Sequence, residues 1–153
     1  MKRLFYLLAA AAFTACGSAT TLSVMTFNMR YDNPEDGADN WRFRRGRVAE
    51  VIASHGVDVF GTQELLANQL GDLKRLLPGY AAVGVGREDG AEAGEFSAVF
   101  YRRDRFTPLE SGTFWLSETP DVAGSKGWDG ACERVATWVV LHDSCLLYTS
   151  PSP

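Results

Sequence analysis

The chain is poor in the residues that usually staple or metallate a small domain. It has three cysteines and two histidines in 153 residues. Three cysteines cannot form a paired disulfide framework, so cross-links are not what hold the fold together. The two histidines, His55 and His142, stand alone, and neither has metal-ligand spacing. The longest apolar run, Leu4 to Phe13, has ten residues, whereas a helix needs ~20 to cross a bilayer. Positive charge is in deficit as well: 15 Lys plus Arg face 19 Asp plus Glu, for a net charge of −4. Such a chain has no bulk attraction for nucleic acid, and any contact of that kind needs a local patch or a metal.

What remains is ample for one packed domain. Hydrophobic residues make up 46% and aromatic residues 12% of the chain, which excludes wholesale disorder. The length fits a single domain of roughly 100–200 residues. Both ends nevertheless read as foreign to the fold. Residues 1–19 combine a basic head, Met1-Lys2-Arg3, with the ten-residue apolar run, the pattern of an export signal. Thr14-Ala15-Cys16-Gly17 then resembles a bacterial lipobox, which makes Cys16 the expected lipidation site. The protein is expected to be exported and held at the outer membrane or in the periplasm by a lipid anchor, or otherwise secreted. Removal of this segment takes Lys2 and Arg3 with it and leaves a net charge of −6. Residues 144–153, uncharged and closing on Ser-Pro-Ser-Pro, resemble a tail unrelated to the domain, which is expected to span 20–143.

The middle alternates in strand and helix periods. Thr21 to Asn28 has the twofold alternation of a strand. Residues 31–40, with Pro34 and Gly37, form a loop, and Trp41 to His55 predicts a helix with Val48, Val51 and Ile52 inward. Val57 to Phe60 predicts a short strand, followed by a helix with the stripe Leu66, Leu70, Leu73 and Leu77. Further strands are expected over 80–87, 96–102, 106–109 and 134–141, with loops at 88–95 and 117–133. Strand–helix–strand–helix followed by strands makes the class α+β.

Several attractive motifs fail. Asp32-Asn33-Pro34-Glu35-Asp36-Gly37 has proline at its third position and Phe43 where a calcium loop needs a bidentate glutamate. Gly84-Val85-Gly86 has its next glycine, Gly90, one residue too late for a dinucleotide fingerprint. Arg42, Arg44, Arg45 and Arg47 suit either a phosphate or a solvated helix face. Trp115, Trp128 and Trp138 suit either a buried core or a sugar platform, the latter giving an alternative function: a surface-anchored glycan-binding module without catalysis. What survives is a pair of strand ends, Asn28 and Glu64. Side by side they would offer an amide and a carboxylate at one sheet edge, a setting that suits Mg²⁺ with its retained waters. Taken alone, Glu64 is more simply an acidic residue favoured by a helix N-terminus, and Asn28 a turn former.

Met25-Thr26-Phe27-Asn28-Met29-Arg30 and Asp58-Val59-Phe60-Gly61-Thr62-Gln63-Glu64 resemble the opening motifs of the endonuclease/exonuclease/phosphatase superfamily. That superfamily includes deoxyribonuclease I, abasic-site endonucleases, deadenylases and inositol polyphosphate phosphatases. Gly112-Thr113-Phe114-Trp115-Leu116-Ser117 and Arg134-Val135-Ala136-Thr137-Trp138 are similar to a bacterial branch related to the deadenylase-like members. The resemblance implies the N-terminal part of a four-layered α/β/β/α sandwich and a divalent-metal-dependent phosphoester hydrolase (phosphodiesterase, nuclease or phosphatase). Its substrate would be nucleic acid, a phospholipid head group or a sugar phosphate. It implies Glu64 and Asn28 at an Mg²⁺ site (Mn²⁺ as the substitute), Glu95 orienting a catalytic histidine, and Arg134 facing the substrate phosphate. The family's later motifs, including that histidine, a Gly-Asp-x-Asn segment and a closing Asp-His pair, do not occur in this sequence. The chain by itself is therefore expected to be inactive and poorly stable.

Overall fold

The computed structural model describes residues 21–145. The expected export segment with Cys16, and the tail beyond Cys145, lie outside the described residues. A four-stranded mixed sheet is built from β1 (Val24–Asn28), β2 (Val59–Gln63), β3 (Tyr80–Val83) and β4 (Val99–Arg102), in the order β1-β2-β4-β3. β1 and β2 run parallel; β4 is antiparallel to both β2 and β3. A two-stranded antiparallel ribbon of β5 (Phe106–Trp115) and β6 (Val135–Asp143) lies against β3 and β4. The class is α+β, as the alternating periods predicted.

Parallel strands cannot be joined by a tight turn, so a helix carries the chain from β1 back to β2. The crossover begins with a 3₁₀ turn, Pro34–Asp39, capped by Asn33 accepting from the Glu35 amide. It continues as α1 (Trp41–Ser54), where the Asn40 side chain accepts from the Arg42 amide at 3.2 Å. α1 stops at Gly56, whose φ of 56° is the left-handed value that glycine adopts without penalty. After β2, α2 (Ala67–Leu76) starts where Gln69 reaches back to the Leu66 amide at 2.9 Å, and it ends before Pro78-Gly79.

Both helices bury one stripe on the same side of the sheet. Trp41, Val48, Ala49 and Ile52 of α1, Leu73 of α2 and Leu77 at its C-terminal cap meet Met29, Phe60, Phe96 and Phe100. Phe60 stacks on Phe100 at 4.5 Å and meets Tyr80 edge-on at 5.4 Å. The leucine stripe is only partly as expected. Leu70 and Leu66 are half-buried, whereas Leu65, outside the stripe, is fully buried.

Of the strand boundaries that differ from the periodic reading, three have a clear local reason; β2, expected over 57–60, runs instead from Val59 to Gln63 and takes in residues expected to turn into the second helix. β3 ends at Val83 because Gly84, with φ 135°, turns away, and a side chain there would strike Ala98. β4 begins at Val99 rather than Phe96 because the Thr62 hydroxyl replaces part of the ladder. It donates to the Ala98 carbonyl at 3.0 Å and accepts from the Ala98 amide at 3.1 Å. β5 continues six residues past Leu109, absorbing Pro108 in a register shift between Pro108 and Glu110, since proline cannot donate to a ladder.

At one end of the molecule Arg105 gathers four segments. Its guanidinium donates to Asp58 at 2.7 Å, to Asp143 at 2.7 Å and to the Thr21 carbonyl at 2.9 Å. Asp58 also accepts from the Ser23 amide at 2.9 Å. The starts of β1, β2 and β5 and the end of β6 are thereby tied together, and Ser144 closes the cluster by donating twice to the Arg105 carbonyl. The side chains of Arg105, Asp58 and Asp143 are each at most 10% exposed, so removing the cation leaves two poorly solvated carboxylates. Arg105→Met is expected to lower stability on the order of 3 kcal/mol by urea unfolding, and an unchanged midpoint would contradict the clamp.

Hydrogen bonds from Arg105 hold the Asp143 carboxyl below its ordinary value of 3.8. A depressed carboxylate pKa stabilises the fold above the unfolded value, and that stabilisation disappears as pH falls through the folded value. Thermal stability is therefore expected to fall as pH drops below about 4, with a shallower fall in Asp143→Asn.

Candidate functional site

Parallel pairing brings the C-terminal ends of β1 and β2 to the same edge, with Asn28 in register with Gln63. The next residue, Glu64, has φ 54°, a left-handed conformation that disfavours any residue with a Cβ. That turn takes Glu64 out of the ladder while Leu65 dives into the core, where its carbonyl accepts from the Phe96 amide at 2.7 Å. Asn28 Nδ2 then donates to Glu64 Oε1 at 2.9 Å, and Asn28 Oδ1 accepts from the Arg30 amide at 2.8 Å. The amide is thus fixed from behind and orients the carboxylate. Arg30, also left-handed at φ 52°, sends its guanidinium to Asp36 at 2.9 Å. That bond raises the Arg30 pKa and lowers that of Asp36.

The Leu65–Phe96 bridge sets the residues flanking Phe96 beside Glu64. Glu95 accepts from Arg87 at 2.8 Å, in a pair whose side chains are 16% and 24% exposed. Arg87 is itself fixed by its backbone: its amide donates to the Glu95 carbonyl, and its carbonyl accepts from Trp115 Nε1 at 2.6 Å. The Arg87 Nε is buried without a hydrogen-bond partner.

The three residues expected from the sequence to serve catalysis, Asn28, Glu64 and Glu95, and the expected phosphate contact Arg134 line one cavity of about 290 Å³. Arg134 enters it from the start of β6, and its guanidinium makes no ion pair or hydrogen bond among the described residues. Gln63, Arg87, Ser97 and Glu133 line the same cavity and escaped the sequence reading. Of these, Arg87 carries a sequence signal: the loop expected over 88–95 joins two strands, and closing it brings Arg87 near Glu95.

Other candidates lie elsewhere. Arg44 donates to the carbonyls of Asp39 and Arg30, Arg45 pairs with Asp72, and Arg42 stacks on Phe43. None of the α1 arginines lines the cavity. His55 caps α1 and His142 pairs with Thr107 in the ribbon, both away from it. The three-tryptophan platform does not form: Trp115 is 6% exposed and bonded to Arg87, while the Trp138 ring packs over Gly112. A second cavity, of about 360 Å³ between β3 and β5, contains no ionisable side chain.

An oxygen set of one carboxylate with an adjoining amide fits a hard divalent cation that keeps most of its waters. Among the described residues, no three His, Cys, Asp or Glu side chains gather into a richer cluster.

Comparisons with known proteins identify the family and the fold. The profile of the Endonuclease/Exonuclease/phosphatase family matches residues 25–152. An endonuclease/exonuclease/phosphatase from Bacteroides vulgatus is 50% identical, with a TM-score of 0.78 over 79% of this chain and 46% of that one. The mannosyl-6-phosphatase Bt3783 of Bacteroides thetaiotaomicron is 46% identical, with a TM-score of 0.80 over 82% of this chain and 48% of that one. The human Nocturnin catalytic domain, 17% identical over 82% of this chain and 45% of its own, shares the fold with a TM-score of 0.61. No curated protein matches. This chain spans about half the length of the solved structures it resembles. With the family's profile covering residues 25–152, the chain belongs to the Endonuclease/Exonuclease/phosphatase family.

Proposed function

We propose that the chain contributes the metal- and phosphate-binding part of a phosphoester hydrolase. The observation that carries this is the Asn28–Glu64 hydrogen bond at paired strand ends, facing the unpaired Arg134 guanidinium across one cavity. Glu64, oriented by Asn28, would hold Mg²⁺ or Mn²⁺. Such an ion supplies charge neutralisation at the phosphoryl oxygens and acidifies a bound water. Arg134 offers a planar fork of donors, the geometry that grips a phosphate through two parallel hydrogen bonds. Arg87 holds Glu95 at the cavity wall, where its second carboxylate oxygen can accept a proton-bearing group. Sugar phosphates are the favoured substrate class, because the relative at 46% identity is a mannosyl-6-phosphatase.

Metal binding tests the Glu64 assignment directly. Calorimetric titration with Mn²⁺ is expected to show Glu64→Gln weakened by more than ~100-fold. Asn28→Ala, which loses only the orienting amide, should be weakened ~10–100-fold. Wild-type affinity in Glu64→Gln would remove the metal site from this cavity.

Turnover is a separate matter. Neither described histidine reaches the cavity, and Glu95 is engaged by Arg87. The 153-residue chain is expected to hydrolyse bis-p-nitrophenyl phosphate in Mg²⁺ no faster than its Glu64→Ala variant. A clear excess of the parent over that variant would show that the chain carries a complete catalytic set.

A further inference from the structure

The long segment between β5 and β6 contains a feature that neither packing nor hydrolysis accounts for. Trp128 is 67% exposed, and its ring makes no aromatic or cation contact among the described residues. It occupies the left-handed region with φ 50°, and Asp129 follows with φ 58°. The Gly130 amide donates to the Gly127 carbonyl at 3.0 Å, closing a four-residue turn around them. Positive φ at both central residues is the type I′ arrangement, normally filled by Gly, Asn or Asp. A bulky aromatic at the first of these positions is strained, and nothing buried compensates for it.

The turn is held in place from several sides. A side chain at Gly127 would come within 2.6 Å of Ser117 Cα, so only glycine permits that contact. The Ser117 and Ser125 hydroxyls lie 2.7 Å apart, and Ser125 donates to the Thr119 carbonyl at 3.0 Å. At Gly124 an added Cβ would lie 2.4 Å from the Glu88 carbonyl, so the loop packs on the segment that carries Arg87. The platform is therefore preorganised, the condition under which a small ligand loses least on binding.

Beside the ring is a cavity of about 320 Å³, lined by Glu118, Lys126, Gly127, Trp128, Asp129 and Gly130. We propose that it is a subsite for a pyranose ring, with Trp128 covering the ring's C–H face and Glu118 and Asp129 accepting from its hydroxyls. Two carboxylates against one ammonium suit a neutral polyol, because ionised carboxylates only accept hydrogen bonds and sugar hydroxyls can donate them. The same charges disfavour a stacked nucleobase, whose phosphates would enter a net negative site.

The subsite adjoins the candidate active site along the ribbon. The Leu116 amide donates to the Arg134 carbonyl at 2.8 Å, and Glu118 is two residues further on, at most about 7 Å of chain. That the bound sugar belongs to a substrate whose phosphate meets Arg134 rests on the proposed hydrolase function. Sugar binding itself does not.

The test uses the full chain without metal or phosphate, titrated with methyl α-D-mannopyranoside and methyl α-D-glucopyranoside. Binding is read by saturation-transfer NMR and by the Trp128 indole resonance. A millimolar dissociation constant is expected for at least one of them, the range of a ligand with about a dozen heavy atoms. Trp128→Gly should weaken it at least ~10-fold while raising the melting temperature, because glycine relieves the positive φ. Trp138→Phe should bind as the parent does. No binding of either glycoside, undiminished binding in Trp128→Gly, or a lower melting temperature in that variant would overturn the subsite. So would a Trp128 indole shift caused by a short single-stranded oligonucleotide rather than by sugar. If Mn²⁺ affinity is indifferent to Glu64→Gln while glycoside binding persists, the hydrolase proposal fails and the subsite stands; the reverse result separates them the other way.

Discussion

Parallel pairing of β1 with β2 is the constraint from which the rest of the structure follows. It places the two strand starts at one end of the sheet and the two strand finishes at the other. Arg105 locks the starts through Asp58 and the Thr21 carbonyl, and brings the β5–β6 ribbon along through Asp143. The finishes, relieved of any structural ion pair between them, present Asn28 and Glu64. Ligands in open α/β sheets gather at the carboxyl ends of strands for the same geometric reason. The α1 crossover fills the core on one face, and its arginines stay out of the cavity, although Arg44 reaches the Arg30 carbonyl just beyond β1.

Two of the four non-glycine residues with positive φ, among the described residues, sit where the chemistry is proposed. Arg30 and Glu64, immediately beyond the ends of β1 and β2, both have positive φ. Strain of this kind persists only where surrounding structure over-determines it. For Glu64 the anchor is Leu65, fully buried and bonded to Phe96; for Arg30 it is the Asp36 ion pair together with the Asn28 side chain. Glu95 is reached through the same Phe96, and Arg87 through Trp115. A single buried contact, Leu65 with Phe96, thus sets two carboxylates on one cavity.

Much of this was legible in the sequence because it rests on local periodicity. The inward Val48 and Ile52 of α1, the Gly56 stop and the twofold alternation of β1 all follow from side-chain spacing, and the structure has them, whereas Val51 is only half-buried. The four candidate residues also converge on one cavity, Asn28 and Glu64 from the ends of β1 and β2, Glu95 from beside the Phe96 bridge and Arg134 from the residue before β6. What escaped depends on contacts distant in sequence. Thr62 substituting for ladder bonds shortened β4, and Leu65 is buried by a bridge that no helical stripe describes. Arg87 and Glu133 enter the cavity only through the folding of two loops. The tryptophans show the limit most clearly: identical residues in one β-rich stretch became a buried donor at Trp115, a ribbon cover at Trp138 and an open face at Trp128. Composition does not separate those three fates, whereas backbone dihedrals and neighbours do.

The measurement closest to the central claim is a crystal structure of this protein soaked with Mn²⁺ and phosphate, with the metal located by anomalous scattering. One strong peak is expected about 2.1 Å from a Glu64 carboxylate oxygen, with the phosphate held by the Arg134 guanidinium. An anomalous peak away from Glu64, at Asp36 and Asp39 for example, or a phosphate held without Arg134, would contradict it.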